Sequence, residues 1–247
     1  MRMHLALLAV LAVCSLPVSA AWLYAVQGDV LYKADPVTGN WQSLSDTWSG
    51  TELMTSCGSN LFAIQGDYLY KISPATGEWT RLSDTWDGTS ALTAGGGSLY
   101  AYQNGSIFRI HPADGSWEAI PGEYDGTQFL AWAGNALMVI QNDVLYRTDP
   151  VTGNYSRLPS SYSGTTAMAG GGDDLYVIQG DVLYWVDPYS GDYASLGGGY
   201  DGTTELAVAG GYVYCIWQGS LWKTDPDDGS YESLGSSWDG TTAFCAL

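Results

Sequence analysis

Six times along this chain an aromatic residue is followed by aspartate or serine, then by glycine and threonine. The aromatics are Trp48, Trp86, Tyr124, Tyr162, Tyr200 and Trp238, followed by Ser49, Asp87, Asp125, Ser163, Asp201 and Asp239. An aromatic plate beside carboxylates and amides suits sugars, whose C–H faces rest on a ring while their hydroxyls need fixed donors and acceptors. A second series, Gln27, Gln65, Gln103, Gln141 and Gln179 with Asp29, Asp67, Asp143 and Asp181, is placed to form an opposite wall. Trp217 and Gly219 interrupt it in the last copy, which predicts an altered or lost site there. Two readings of the loop aromatics are open, ligand contact and packing or anchoring of the loop; the recurring glycine also eases entry to a narrow axis.

Catalysis has less to work with. Beyond residue 20 the one histidine is His111, which precedes Pro112 where other copies carry Asp35, Asp149 or Asp187, so it reads as a turn residue. One histidine assembles neither a Ser/His/Asp set nor a histidine-rich metal site. Carboxylates are plentiful, but six equivalent copies single out no acid/base pair. The spacing of the aspartates matches neither an EF-hand nor a calcium-binding nonapeptide. The expectation is a binding protein with no catalytic residues, cofactor or metal.

The elements that carry these loops repeat at a fixed interval of 38 residues, in copies starting at 23, 61, 99, 137, 175 and 213 without insertion or deletion. A fixed period of this length is the mark of a stacked-repeat architecture. Within a copy, short runs of β-favouring residues alternate with turn chemistry. In the copy at Leu61, residues 61–64 and 68–72 flank a Gln65-Gly66-Asp67 turn, Pro74-Ala75-Thr76-Gly77 makes a second hairpin, and 78–82 and 89–94 complete four strands.

Strands apolar on both faces belong to small sheets packed between neighbours. The fold expected is therefore an all-β six-bladed propeller of four-stranded antiparallel blades. The chain enters at Leu23 as the second strand of a blade and ends with an innermost strand over 241–247, so pairing the two closes the ring and removes open edges. An open solenoid is the alternative, although it calls for atypical capping copies.

Successive strands reverse direction, which places the Gln-Gly-Asp turn and the long interblade loop on one face of the ring. Two further aromatic series read as packing. One is Trp41, Trp79, Trp117, Tyr155, Tyr193 and Tyr231 on the third strand; the other is Tyr32, Tyr70, Phe108, Tyr146, Tyr184 and Trp222 on the second.

The run of Gly170-Gly171, the apolar strand 175–178, Asp149-Pro150-Val151-Thr152-Gly153 and Trp79 resembles the kelch and galactose-oxidase-type β-propellers across all six copies. The glycine pair that ends the second strand in that family is here Gln65-Gly66 or Gln141-Asn142, so the resemblance implies architecture without importing an activity. In layout, with aromatic and acidic loops on near-identical blades, the chain is also similar to propeller lectins of the tachylectin and tectonin type.

Residues 1–20 read as a secretory signal peptide, with Arg2, an apolar run over 5–16 and small residues before cleavage near Ala20, leaving 21–247 as one domain. The apolar run is too short to span a membrane, and Val13 before Cys14 fits a lipoprotein site poorly. Without Arg2 there are seven basic against 26 acidic residues, a net charge of −19. Such acidity opposes nucleic acid and anionic membranes.

Cys57, Cys215 and Cys245 allow at most one internal disulfide in an oxidising compartment; Cys57 with Cys245 is a conceivable pair and Cys215 the competitor. The function expected is a secreted, multivalent ring that binds glycans or glycoconjugates. The alternative is a structural propeller whose face binds a protein partner.

Overall fold

Four consecutive residues at the start of five of the six copies are shielded from water, as Leu23, Tyr24, Ala25 and Val26 or Leu61, Phe62, Ala63 and Ile64. A strand buried on both faces must lie inside a sheet that is itself stacked between two others. The computed structural model describes residues 21–247 and has that arrangement; the signal-peptide expectation for 1–20 falls outside the described residues.

Blade I contains β1 (Leu23–Gln27), β2 (Val30–Ala34) and β3 (Trp41–Asp46). Blade II is β4 (Thr51–Cys57), β5 (Asn60–Gln65), β6 (Tyr68–Ile72) and β7 (Trp79–Ser83). Blade III is β8 (Thr89–Gly95), β9 (Ser98–Gln103), β10 (Ser106–Ile110) and β11 (Trp117–Ala119). Blade IV is β12 (Thr127–Ala133), β13 (Ala136–Gln141), β14 (Val144–Thr148) and β15 (Tyr155–Arg157).

Blade V is β16 (Thr165–Gly171), β17 (Asp174–Gln179), β18 (Val182–Val186) and β19 (Tyr193–Gly198). Blade VI is β20 (Thr203–Ala209), β21 (Tyr212–Trp217), β22 (Ser220–Thr224) and β23 (Tyr231–Ser236). The last strand, β24 (Thr241–Ala246), crosses to blade I and pairs antiparallel with β1, from Leu23 opposite Ala246 to Gln27 opposite Thr241. Two backbone bonds between Trp22 and Leu247, at 2.6 and 2.9 Å, extend the seam. The ring is therefore closed, and the open solenoid is excluded.

Blades interlock through the hairpins that join their two outer strands, such as β2 to β3 and β6 to β7. Tyr24 Oη donates to the Pro74 carbonyl of blade II, and Tyr214 Oη to that of Pro36 in blade I. The glycine of this hairpin sits against the preceding blade so closely that a Cβ at Gly39 or Gly153 would come within 1.9 or 1.7 Å of the carbonyl oxygen of Leu234 or Pro121. Aspartate organises the turn. Asp35 Oδ1 accepts from the amides of Val37 and Thr38 at 2.8 and 2.9 Å, and these bonds hold its carboxyl below the usual range. His111 starts the same turn through its backbone, as expected of it.

The innermost strands surround an axial channel of about 200 Å³. Its lining is less uniformly small than the sequence suggests, since Met54, Met168, Phe244 and Trp132 all reach it. Among the described residues, Cys57, Cys215 and Cys245 are free thiols. The conceivable Cys57–Cys245 disulfide is not formed, because Cys57 Sγ turns toward the Ser98 carbonyl of blade III, 3.9 Å away, and so away from blade I.

Candidate functional site

The loop between blades is built by its glycine and threonine. Gly50, Gly88, Gly126, Gly164, Gly202 and Gly240 all take positive φ, between 75° and 83°. In four of the six loops the threonine hydroxyl then donates back to the aromatic residue's carbonyl, as from Thr89 to Trp86 and from Thr127 to Tyr124, both at 2.7 Å. This tight turn drives the aromatic side chain inward. Trp48, Trp86, Tyr124, Tyr162, Tyr200 and Trp238 are 1–5% exposed.

The expected ligand plate is thus a wedge between blades, and the packing alternative describes its position. Trp48 and Trp86 donate their indole N–H to Ser45 and Ser83 Oγ at 2.9 Å, and each meets edge-on the aromatic on the next-to-outermost strand of the following blade, Tyr70 at 5.8 Å and Phe108 at 6.0 Å.

The glutamines also hold the loop. Each Nε2 donates to two backbone carbonyls of the preceding blade's loop: Gln65 to Thr47 and Ser49 at 2.9 and 2.7 Å, Gln103 to Thr85 and Asp87 at 2.8 and 2.7 Å. Gln141 bonds Glu123 and Asp125, Gln179 bonds Ser161 and Ser163, and Gln27 bonds Ser237 and Asp239 across the seam. Trp217, which breaks the series in sequence, keeps the function, its indole N–H reaching the Asp201 carbonyl at 2.5 Å.

These bonds clamp strained backbone: Thr47, Thr85 and Ser237 have φ of 92°, 82° and 84°, a region costly for residues other than glycine. The second wall foreseen for ligand is therefore a set of loop clamps whose amide hydrogens are already committed. The side chains of Asp87, Asp125, Asp201 and Asp239 are exposed on the loop tips. Asp181 instead caps the loop, accepting from the amides of Gly199 and Asp201 at 3.0 and 3.1 Å.

What faces water is the series expected to pack. Trp41, Trp79, Trp117, Tyr155, Tyr193 and Tyr231 lie on the outermost strands and are 49–66% exposed. Each leans edge-on against the aromatic on the adjacent, next-to-outermost strand of its own blade, with centroids 4.9 Å apart for Tyr32–Trp41, 5.2 Å for Tyr70–Trp79 and 5.8 Å for Tyr184–Tyr193.

Every junction between blades therefore carries an aromatic triad: a buried wedge from the preceding loop, a half-buried ring, and a half-exposed ring at the mouth. The signal that could have found the mouth residues is strand position. They start the outermost strand of each blade, whose free edge faces outward, and the residues beside them, as in Trp79-Thr80-Arg81, are polar and exposed.

One titratable group stands apart from this pattern. Glu205 on β20 has a carboxyl at the junction of blades VI and I that burial pushes up to about 8, and its charge in turn helps to raise the Cys245 thiol on β24. Comparison of the chain with known protein families and with curated proteins finds no match. The propeller architecture fits a role in binding ligands or protein partners, and the residues of the six junctions are what remains to narrow it.

Proposed function

We propose that this chain is a secreted, multivalent carbohydrate-binding ring, with the sugar sites in the grooves between blades and not on the loop tips. The observation that carries this reading is the half-exposed ring at the mouth of every groove, held edge-on by a second ring of the same blade. A ring fixed in that way presents an apolar face at little entropic cost, which is what the C–H face of a sugar requires. Exposed carboxylates on the loop above, such as Asp87 and Asp239, are available acceptors for hydroxyls.

The net charge of −19 left without Arg2 favours neutral sugars over sialylated or sulfated ones. Six copies in a rigid ring support avidity from modest individual sites. The reading includes no catalytic step.

A second reading has its own support: the outermost strand of each blade is an open edge flanked by aromatics, a surface that also fits an extended segment of a protein partner. A microarray of neutral glycans probed with the intact ring separates them. Binding to a defined neutral glycan set, lost when Trp41, Trp79 and Trp117 are changed to alanine, supports the lectin reading; no glycan bound at any printed density contradicts it.

A further inference from the structure

The six junctions differ in what meets the polar atom of the buried wedge. Trp48 and Trp86 have serine hydroxyls, Tyr124 Oη donates to the Pro121 carbonyl at 3.0 Å, and Tyr200 Oη pairs with Thr224 Oγ1 at 2.9 Å. At the junction of blades IV and V, Tyr162 is 5% exposed and its hydroxyl has no partner among the described residues. Part of the difference lies in the sequence. The residue at the end of β18 that corresponds to Thr224 is Val186, which has the same shape and no hydroxyl.

The same junction has room. Tyr162, Tyr184, Tyr193, Gln179, Val177 and Val186 line a groove of about 350 Å³. The corresponding groove between blades VI and I, where Trp238 and Trp41 replace two of the tyrosines, holds about 10 Å³. A volume of 350 Å³ is at the lower end of the ~300–1,000 Å³ typical of small-molecule sites and suits a single ring. No charged side chain lines it. The hydroxyl is closed off from water, a cost to the fold that a ligand relieves when it enters the groove and displaces the cover over that oxygen.

We infer that the groove between blades IV and V is the principal site of the ring and takes one neutral, single-ring polyhydroxyl residue, whose apolar face lies on Tyr193 and Tyr184 and one of whose hydroxyls partners that of Tyr162. This rests on the carbohydrate reading and adds that the six junctions are unequal, with one site dominating at low concentration. Tyr162 and Val186 set that inequality, the first by carrying the unpartnered hydroxyl and the second by withholding the partner that Thr224 gives Tyr200.

The test is calorimetric titration of the full chain with neutral methyl pyranosides of glucose, galactose, mannose, fucose and N-acetylglucosamine, paired with thermal melts. The wild type is expected to show one site of highest affinity per chain. Tyr162→Phe removes the hydroxyl, which weakens that site about tenfold, the loss of one hydrogen bond, while the melting temperature is unchanged or higher. Val186→Thr supplies the missing partner at constant shape, weakening the same site by a similar factor and raising the melting temperature.

Six equal sites, or an affinity unmoved by either substitution, overturn this inference and leave the carbohydrate reading intact. A lowered melting temperature in Tyr162→Phe shows that the fold itself uses the hydroxyl, and also overturns it. Binding of none of the five glycosides to the wild type overturns both this inference and the assignment of neutral sugars.

Discussion

Replacing Trp86 and Trp79 in turn by alanine separates the wedge from the mouth of a groove. Trp86 is 2% exposed, donates to Ser83 Oγ and packs edge-on against Phe108. Truncating such a buried ring costs about 3–5 kcal/mol. Trp79 is 49% exposed, so only about half of the transfer energy of a large side chain, near 1 kcal/mol, is at stake. Its edge contact with Tyr70 adds roughly 0.5–1.5 kcal/mol.

For a chain of this size each kcal/mol moves the melting temperature by about 2–4 °C. Trp86→Ala is thus expected to melt about 6–20 °C lower and Trp79→Ala about 3–10 °C lower. Binding responds the other way: Trp79→Ala removes the mouth ring of one groove and lowers the number of sugar sites, while folded Trp86→Ala retains its mouth ring, Trp117. Differential scanning calorimetry and glycan titration on both variants give the answer. If Trp86→Ala melts within 2 °C of wild type, or Trp79→Ala is the more damaging of the two, the burial argument for the loop aromatics fails.

Three further outcomes follow from the same geometry. Glu205 is held near pKa 8 in the folded ring against 4.5 when free, so between those values the folded state binds one more proton than the unfolded state and stability falls as pH rises, by at most ~5 kcal/mol. Glu205→Gln should remove that slope, its melting temperature exceeding that of wild type by most near pH 8 and by little near pH 5; parallel melts across that range would show no such divergence if the carboxyl is solvated. Deleting residues 243–247 takes most of β24 from the seam and should abolish cooperative unfolding of the whole ring, whereas an unchanged sharp transition would speak against closure. Gln65→Leu breaks two bonds to the loop carbonyls of Thr47 and Ser49 and should cost about 1–3 kcal/mol by chemical denaturation; a change under 0.5 kcal/mol would show that the loop holds itself.

The architecture was legible because it rests on period and turn chemistry. The 38-residue interval, the Asp-Pro-x-Thr-Gly hairpin and the missing inner strand at Leu23 lead to six blades and to the β24–β1 seam, and the strand over 68–72 matches β6 residue for residue. The site was less legible, since sequence position does not say which way a loop side chain turns. Trp86 and Trp79 are both tryptophans at fixed repeat positions, yet Gly88 and Thr89 fold one inward, while the free edge of β7 leaves the other in water.

The glutamine series misled for a related reason. A polar side chain beside a loop reads as a ligand contact until the unpaired carbonyls of that loop are counted, and here each glutamine supplies their donor. Trp217 looked like a broken site because the pattern was read by residue type, whereas the shared property is a side-chain N–H at that position. The orphan hydroxyl of Tyr162 depends on a threonine-to-valine difference between blades that signals nothing until the two side chains are seen to face each other.

The central claim is that sugar rests on the outer-strand rings in the grooves between blades. A crystal structure of the ring soaked with the neutral glycoside that binds best tests it most directly. Sugar density is expected between blades, its C–H face against Tyr193 or an equivalent ring such as Trp79, with the loop aromatics still buried. Density confined to the axial channel, or to the loop tips around Asp87 and its equivalents with the grooves empty, would contradict it.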